Sequence, residues 1–221
     1  ETTVFICPVG PVGQYPYFVD MVNEQNISLK NVWFINMDEY LNDDGQWIAE
    51  ENPLSFRGFM AREVYGKIAP ELLMPEEQRV FPDPNDLGRI PALIEELGGV
   101  DIAFGGIGIT GHLAFNDPHV AFFDDPLTVK TVDLAPACIR QQVNDGCFKT
   151  IEEVPTHAYT ITIPELLFVK KLYAIVPTIA KANAIKGTCD GPIVTSCPAS
   201  ILRTHRDCTL YVDRDSASLV S

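Results

Sequence analysis

The chain has 221 residues, is 46% hydrophobic and 21% charged, and sets 16 Lys and Arg against 30 Asp and Glu for a formal net charge of −14. That size and composition favour one large globular domain over the whole span 1–221, able to fold without a disulfide or metal staple. The acidic balance argues against nucleic acid or an anionic membrane as the main partner, so an anionic substrate would need a local site of cations and backbone N–H groups.

In chain order, Val4–Cys7 predicts the first strand. The stretch Glu1–Cys7 lacks the basic-then-apolar plan of a secretory leader, and the expectation is a sequence that starts inside the fold with no leader or preceding helix. Tyr15, Phe18, Val19 and Val22 then fall on one face of a helix. Val32–Met37 predicts the second strand, with Asp38-Glu39-Tyr40 as the loop after it. Phe56, Phe59, Met60 and Val64 mark a second helix, opened by Asn52-Pro53 with the proline at the first helical position. The prolines from Pro70 to Pro84 predict loops. Leu87, Ile90, Ile94 and Leu97 predict a helix capped by Asp86 and stopped by Gly98-Gly99. Further strands are expected at Val100–Phe104, Leu127–Val132, Ala158–Ile163, Leu172–Val176 and Leu210–Val212, with a helix from Pro177 to Lys186 ended by Gly187.

This alternation implies βαβ units and an α/β fold: a doubly wound, mainly parallel, Rossmann-like sheet with helices on both faces. Ligands in such a sheet bind beyond the carboxyl ends of the strands, so the loops that follow strands carry the chemistry. No apolar run approaches the ~20 residues of a membrane span. Cys7, Cys138, Cys147, Cys189, Cys197 and Cys208 form neither a C-x-x-C pair nor a zinc-ligand spacing. They predict reduced structural thiols in a cytoplasmic protein, with no metal.

Three loops could hold a site. Asp38 and Glu39 put a carboxylate either at the crevice or at a solvated strand end or helix cap. Phe104 to Pro118 has four glycines in seven residues, which allow close backbone approach to a ligand, together with the titratable pair His112 and Asp117. It does not match the glycine fingerprint of a dinucleotide site. In Thr195 to His205, the histidine reads equally as functional or as hydrogen-bonded structure.

Together the segments Phe34-Ile-Asn-Met-Asp-Glu-Tyr40, Gly111-His-Leu-Ala-Phe-Asn-Asp-Pro118, Pro155-Thr-His-Ala-Tyr-Thr160, Ala180-Lys-Ala182 and Pro198-Ala-Ser-Ile-Leu-Arg-Thr-His205, with Val212-Asp-Arg-Asp215, resemble the glucosamine-6-phosphate deaminase (isomerase) family, which is related to the 6-phosphogluconolactonases. The resemblance implies a sugar-phosphate aldose–ketose isomerase that releases ammonia from glucosamine 6-phosphate. By similarity, Asp38 is the base at C2, His112 opens the ring, and Asp117 orients the imidazole. Lys181 matches a phosphate-binding lysine, and Gly10, Val12, Gly13, Gly106 and Thr110 fall where substrate or phosphate contacts are expected. An enediol route moves only protons, so neither a redox cofactor nor a metal is expected. The implied partner is a small sugar phosphate, and self-association into a homo-oligomer is left open.

Departures from the family pattern accompany these matches. Thr110 stands where the family has Asp, Asp117 where it usually has Glu, and Pro8-Val-Gly-Pro-Val-Gly-Gln14 where it has a Thr-Gly-x-Thr-Pro phosphate loop. An arginine that the family has between its central strands finds its nearest candidate in Arg140. A sugar-phosphate-binding protein without catalysis and a lactonase therefore stand beside the deaminase reading.

Overall fold

Val4 and Ile6 on one face, with Phe5 and Cys7 on the other, make β1 (Thr3–Cys7) apolar on both sides, as a central parallel strand must be. The computed structural model describes residues 2–144 and 148–221, so the expectations for Glu1 and Cys147 lie outside the described residues. Strand β1 pairs in parallel with β2 (Val32–Asn36) and with β5 (Ile102–Gly105). Strand β4 (Arg79–Val80) extends one edge, while β8 (Lys171–Val176) and β9 (Cys208–Val212) extend the other. The order β4-β2-β1-β5-β8-β9 is parallel throughout.

Helix α1 (Gln14–Glu24) buries Tyr15, Val19 and Val22 against one face, beside Met60 and Val64. Helices α3 (Arg89–Glu96) and α6 (Ala182–Asp190) cover the opposite face through Ile90, Ala184 and Ile185. This is the doubly wound α/β arrangement. The chain winds from β1 toward β4 in one direction and from β5 toward β9 in the other, so the strand order reverses between β1 and β5. The loops after those two strands part there and leave a crevice.

One expectation about the sheet is corrected. The segment Asp38–Leu41 is not a loop but β3, and it pairs antiparallel with β7 (His157–Ile161), which pairs antiparallel with β6 (Val129–Asp133). Three short strands thus build a second small sheet, packed on its own cluster of Tyr40, Phe115, Val132 and Ala158. Strand β7 stops at Ile161 because Thr162, in an extended conformation, opens α5 (Ile163–Leu167), with a proline in its first turn.

Helix boundaries moved where side chains compete for the first amides. Asn52 closes a turn instead of starting a helix, its side chain accepting from Leu54 N–H, and α2 (Phe56–Phe59) begins after Ser55, whose hydroxyl accepts from Gly58 N–H at 3.1 Å. The helix then continues as a π turn (Met60–Val64) and a 3₁₀ turn (Tyr65–Lys67). Helix α3 starts at Arg89, because the Asp86 carbonyl closes a turn onto Arg89 N–H; Leu87 lies outside it and is exposed. Gly98 and Gly99 end it with φ of 78° and 104°, conformations that favour glycine. The last helix runs past Gly187 to Asp190, after a 3₁₀ turn at Ile179–Lys181. No described helix is long and apolar enough to cross a membrane.

Candidate active site

A cleft of about 460 Å³ opens at the carboxyl ends of β1, β5 and β8, within the roughly 300–1,000 Å³ of small-molecule sites. Its rim is the loop Pro8–Gly13, where Tyr15 donates its hydroxyl hydrogen bond to the Pro8 carbonyl and ties the loop to α1. Gln14 and Tyr15 N–H close turns onto the carbonyls of Pro11 and Val12. The amides of Gly10, Val12 and Gly13 make no such turn bond among the described residues, and all three residues line the cleft at a helix N-terminus. Gly106 lines it from the end of β5, and Thr178 and Lys181 line it from the segment after β8.

Asp38 and Glu39 alternate across β3 and face opposite environments. Asp38 reaches the cleft floor, where burial first and the Glu39 charge second push its carboxyl well above the usual aspartate range. Glu39 is fully buried behind the strand and accepts from Tyr40, Phe56 and Arg57 N–H at 2.9–3.0 Å and from the Ser55 hydroxyl at 3.1 Å. It is a structural cap of α2, with the Arg57 guanidinium 3.4 Å away.

His112 and Asp117 come from one loop held on β7. Phe115 N–H donates to the Thr160 hydroxyl at 3.1 Å and Asn116 Nδ2 donates to the Ile161 carbonyl at 2.8 Å. Thr160 is also the register partner of Asp38. One strand therefore fixes both the carboxylate on β3 and the imidazole loop. His112 lies flat on Gly108, where an added Cβ would stand 2.0 Å from Cε1 and Nε2 of the ring; only glycine admits that approach.

His112 Nδ1 is 2.9 Å from Asp117 Oδ1. Burial raises the Asp117 carboxyl, but the imidazole, the Thr110 hydroxyl and Ala135 N–H outweigh it and hold the group at about 2. The ionised carboxylate has no proton to donate, so the contact places one on Nδ1 and leaves the lone pair of the neutral ring on Nε2. Nε2 has no hydrogen-bond partner among the described residues.

Thr110 was expected to touch substrate. Instead its hydroxyl lies behind the ring, donating to Asp117 Oδ1 at 2.6 Å and standing 2.9 Å from His112 Nδ1, and the residue does not line the cleft. Arg140 is exposed and also absent from the lining; Cys138, Gln141 and Gln142 of α4 (Pro136–Asn144) occupy that wall. The Cys138 thiol, pushed up to about 12 by burial and the Asp117 charge, donates to Asp117 at 3.5 Å. His205 is structural: its Nδ1 accepts from Asp207 N–H and its Nε2 donates to the Val169 carbonyl.

Sequence reasoning missed the support under Lys181. Thr178 has φ 85° and ψ 148°, a strained conformation for a residue with a side chain, and its N–H donates to Asp213 Oδ2 at 2.9 Å. Its carbonyl accepts from Lys181 N–H. The Val212-Asp-Arg-Asp215 segment held that signal, but only the adjacency of β8 and β9 gives it meaning.

No family model matches the chain. It is 32% identical over 218 residues to a glucosamine-6-phosphate deaminase of Clostridium beijerinckii (strain ATCC 51743 / NCIMB 8052), covering 95% of this chain and 84% of the relative. It is 31% identical over 218 residues to the glucosamine-6-phosphate deaminase of Thermoanaerobacter sp. (strain X514), covering 95% and 80%. The solved structure of a monomeric glucosamine-6-phosphate deaminase superposes with a TM-score of 0.86 at 27% identity, over 99% of this chain and 88% of that one. A 6-phosphogluconolactonase from Thermotoga maritima superposes at 0.69 and 15% identity over 96% and 85%, a likeness of fold alone. With its cleft at the β1/β5 switch point and about a third of its residues shared along nearly the whole length, the chain belongs to the glucosamine-6-phosphate deaminase family.

Proposed function

We propose that this protein converts glucosamine 6-phosphate and water to fructose 6-phosphate and ammonia. The observation that carries the reading is the meeting, in one cleft, of a buried carboxyl on β3 with an imidazole whose Nδ1 proton is fixed by a carboxylate. His112 Nε2 takes the proton of the C1 hydroxyl and passes it to the ring oxygen, which opens the ring. Asp38 takes the C2 proton and returns it at C1 while a proton from the nitrogen passes to O1, giving an imine at C2 and a hydroxyl at C1. Water adds there and ammonia leaves, so overall one water enters and one ammonia departs.

A buried carboxyl beside Glu39 resists ionisation, and an arriving ammonium favours it. An amino sugar thus activates its own base, an advantage a lactone lacks. Lys181 and the amides of Gly10, Val12 and Gly13 would hold the phosphate against the overall negative field, with Gly106 beside them. Asp117, one methylene shorter than Glu, reaches the imidazole at 2.9 Å with Thr110 bracing it, so the substituted relay keeps a fixed donor. No redox cofactor is needed for these proton transfers.

The test is ammonia release and fructose 6-phosphate formation from glucosamine 6-phosphate, with 6-phosphogluconolactone hydrolysis run in parallel. Stoichiometric appearance of both products supports the reading. Lactone hydrolysis without ammonia, or saturable sugar-phosphate binding with neither reaction, overturns it.

A further inference from the structure

Around the imidazole, three side chains of different chemistry converge. His112 Nδ1, an Asp117 carboxylate oxygen and Cys138 Sγ all lie within 4.8 Å of one another. Nitrogen to oxygen is 2.9 Å, nitrogen to sulfur 3.8 Å, and sulfur to the two carboxylate oxygens 3.6 and 3.5 Å. A tetrahedral zinc ion binds nitrogen or oxygen at about 2.0–2.2 Å and sulfur at about 2.3 Å, which sets such ligands roughly 3.3–3.6 Å apart. The sulfur contacts already match within a few tenths of an ångström, and the nitrogen–oxygen contact would open by roughly 0.4 Å.

The donor set is selective. One imidazole, one carboxylate and one thiol suit zinc-like cations, whereas magnesium and calcium demand more oxygen. Outer support is present as well: Thr110 hydroxyl and Ala135 N–H hold the carboxylate at 2.6 and 3.3 Å. His112 and Cys138 both line the cleft, so a fourth position would face water or a sugar oxygen. No spacing in the sequence announces this set, because Cys138 arrives from the first turn of α4, 26 residues after His112.

We infer that His112, Asp117 and Cys138 form a binding site for a zinc-like divalent cation whose occupancy silences the imidazole. The ion takes the place of the His112 Nδ1 proton, which moves to Nε2 of the same ring, and of the Cys138 thiol proton, which leaves to solvent; no oxidation state changes. Asp117 then serves the metal instead of the ring. With Nδ1 on the ion and the ring proton on Nε2, the imidazole has no lone pair left to take a proton from the sugar. The binding part stands by itself; the silencing part rests on His112 acting in the proposed ring opening.

The experiment uses the full chain, reduced and stripped with a chelator, and titrated with Co²⁺ as the spectroscopic probe. One equivalent should bring a near-ultraviolet thiolate-to-cobalt band and the visible bands of a tetrahedral ion, both removed by Zn²⁺. Cys138→Ser should abolish the thiolate band and weaken Zn²⁺ binding at least tenfold, as should Cys138→Ala, while Cys197→Ser keeps both. Thermal melts of each variant report that it is folded. No band in the native chain, or a band that survives Cys138→Ser, overturns the site. In turnover, one equivalent of Zn²⁺ should lower kcat at least tenfold, reversed by chelator; full turnover with zinc bound overturns the silencing. If the metal-free chain releases no ammonia, the proposed function fails while the cobalt result still decides the site.

Discussion

Adjacent carboxylates on β3 have separate roles, and single substitutions should tell them apart. Asp38→Asn keeps the shape of a group that burial already drives toward its neutral form, so the urea midpoint should hardly move while ammonia release falls by ~10²-fold or more. Near-normal turnover in that variant would make Asp38 structural. Glu39→Ala strips the partner from three backbone N–H groups and the Ser55 hydroxyl, and should cost about 3 kcal/mol or more in urea unfolding. At the imidazole, Asp117 titrates at about 2 in the fold against 3.8 unfolded. Between those values the unfolded chain binds more protons, so stability rises with pH. About 2 kcal/mol is therefore present above pH ~4 and is lost as pH falls through the folded value. An acid-unfolding series should find that increment in the native chain and not in Asp117→Asn.

At the scale of elements, strand neighbours decide where loops stand. Strand β7 carries Thr160 and Ile161, which hold the imidazole loop, and it pairs with β3, which carries Asp38. The opposite wall depends on β9, the edge strand, whose exit residue Asp213 grips the strained Thr178 and receives Ser216 N–H at 2.7 Å. Removing that grip lets the segment after β8 relax away from the geometry that presents Lys181. Asp213→Ala should raise KM for the sugar phosphate roughly tenfold with kcat changed less than threefold, because the acid–base pair lies on the other wall. Asp213→Asn, which retains an oxygen acceptor, should recover most of the loss. Equal falls in kcat and in stability, without a KM change, would show that Asp213 serves the fold alone.

For the whole molecule, a formal charge of −14 means that self-repulsion opposes compactness. Ion pairs such as Lys67–Glu63 are exposed and offset little of it. Raising NaCl from ~10 to ~200 mM shortens the screening length from roughly 30 to under 10 Å, so the melting temperature should rise by a few degrees. A fall would show that the surface pairs outweigh the repulsion.

The sequence by itself determined the α/β class, the central strands and the α1 face, because these follow from periodicities that each segment carries alone. Its family resemblance was legible in short segments spread along the chain, and the shared identity bears it out. Tertiary structure alone decided that Asp38–Leu41 is a strand of a second sheet, since pairing with β7 is a property of two distant segments. It also decided that Thr110 braces Asp117 instead of lining the cleft, and that Arg140 is exposed outside the cleft lining while Cys138 joins the imidazole. The helix start at Phe56 escaped the sequence for the same reason. An amide goes to whichever acceptor the fold brings within 3 Å, and Glu39, 17 residues before Phe56, has no local signature.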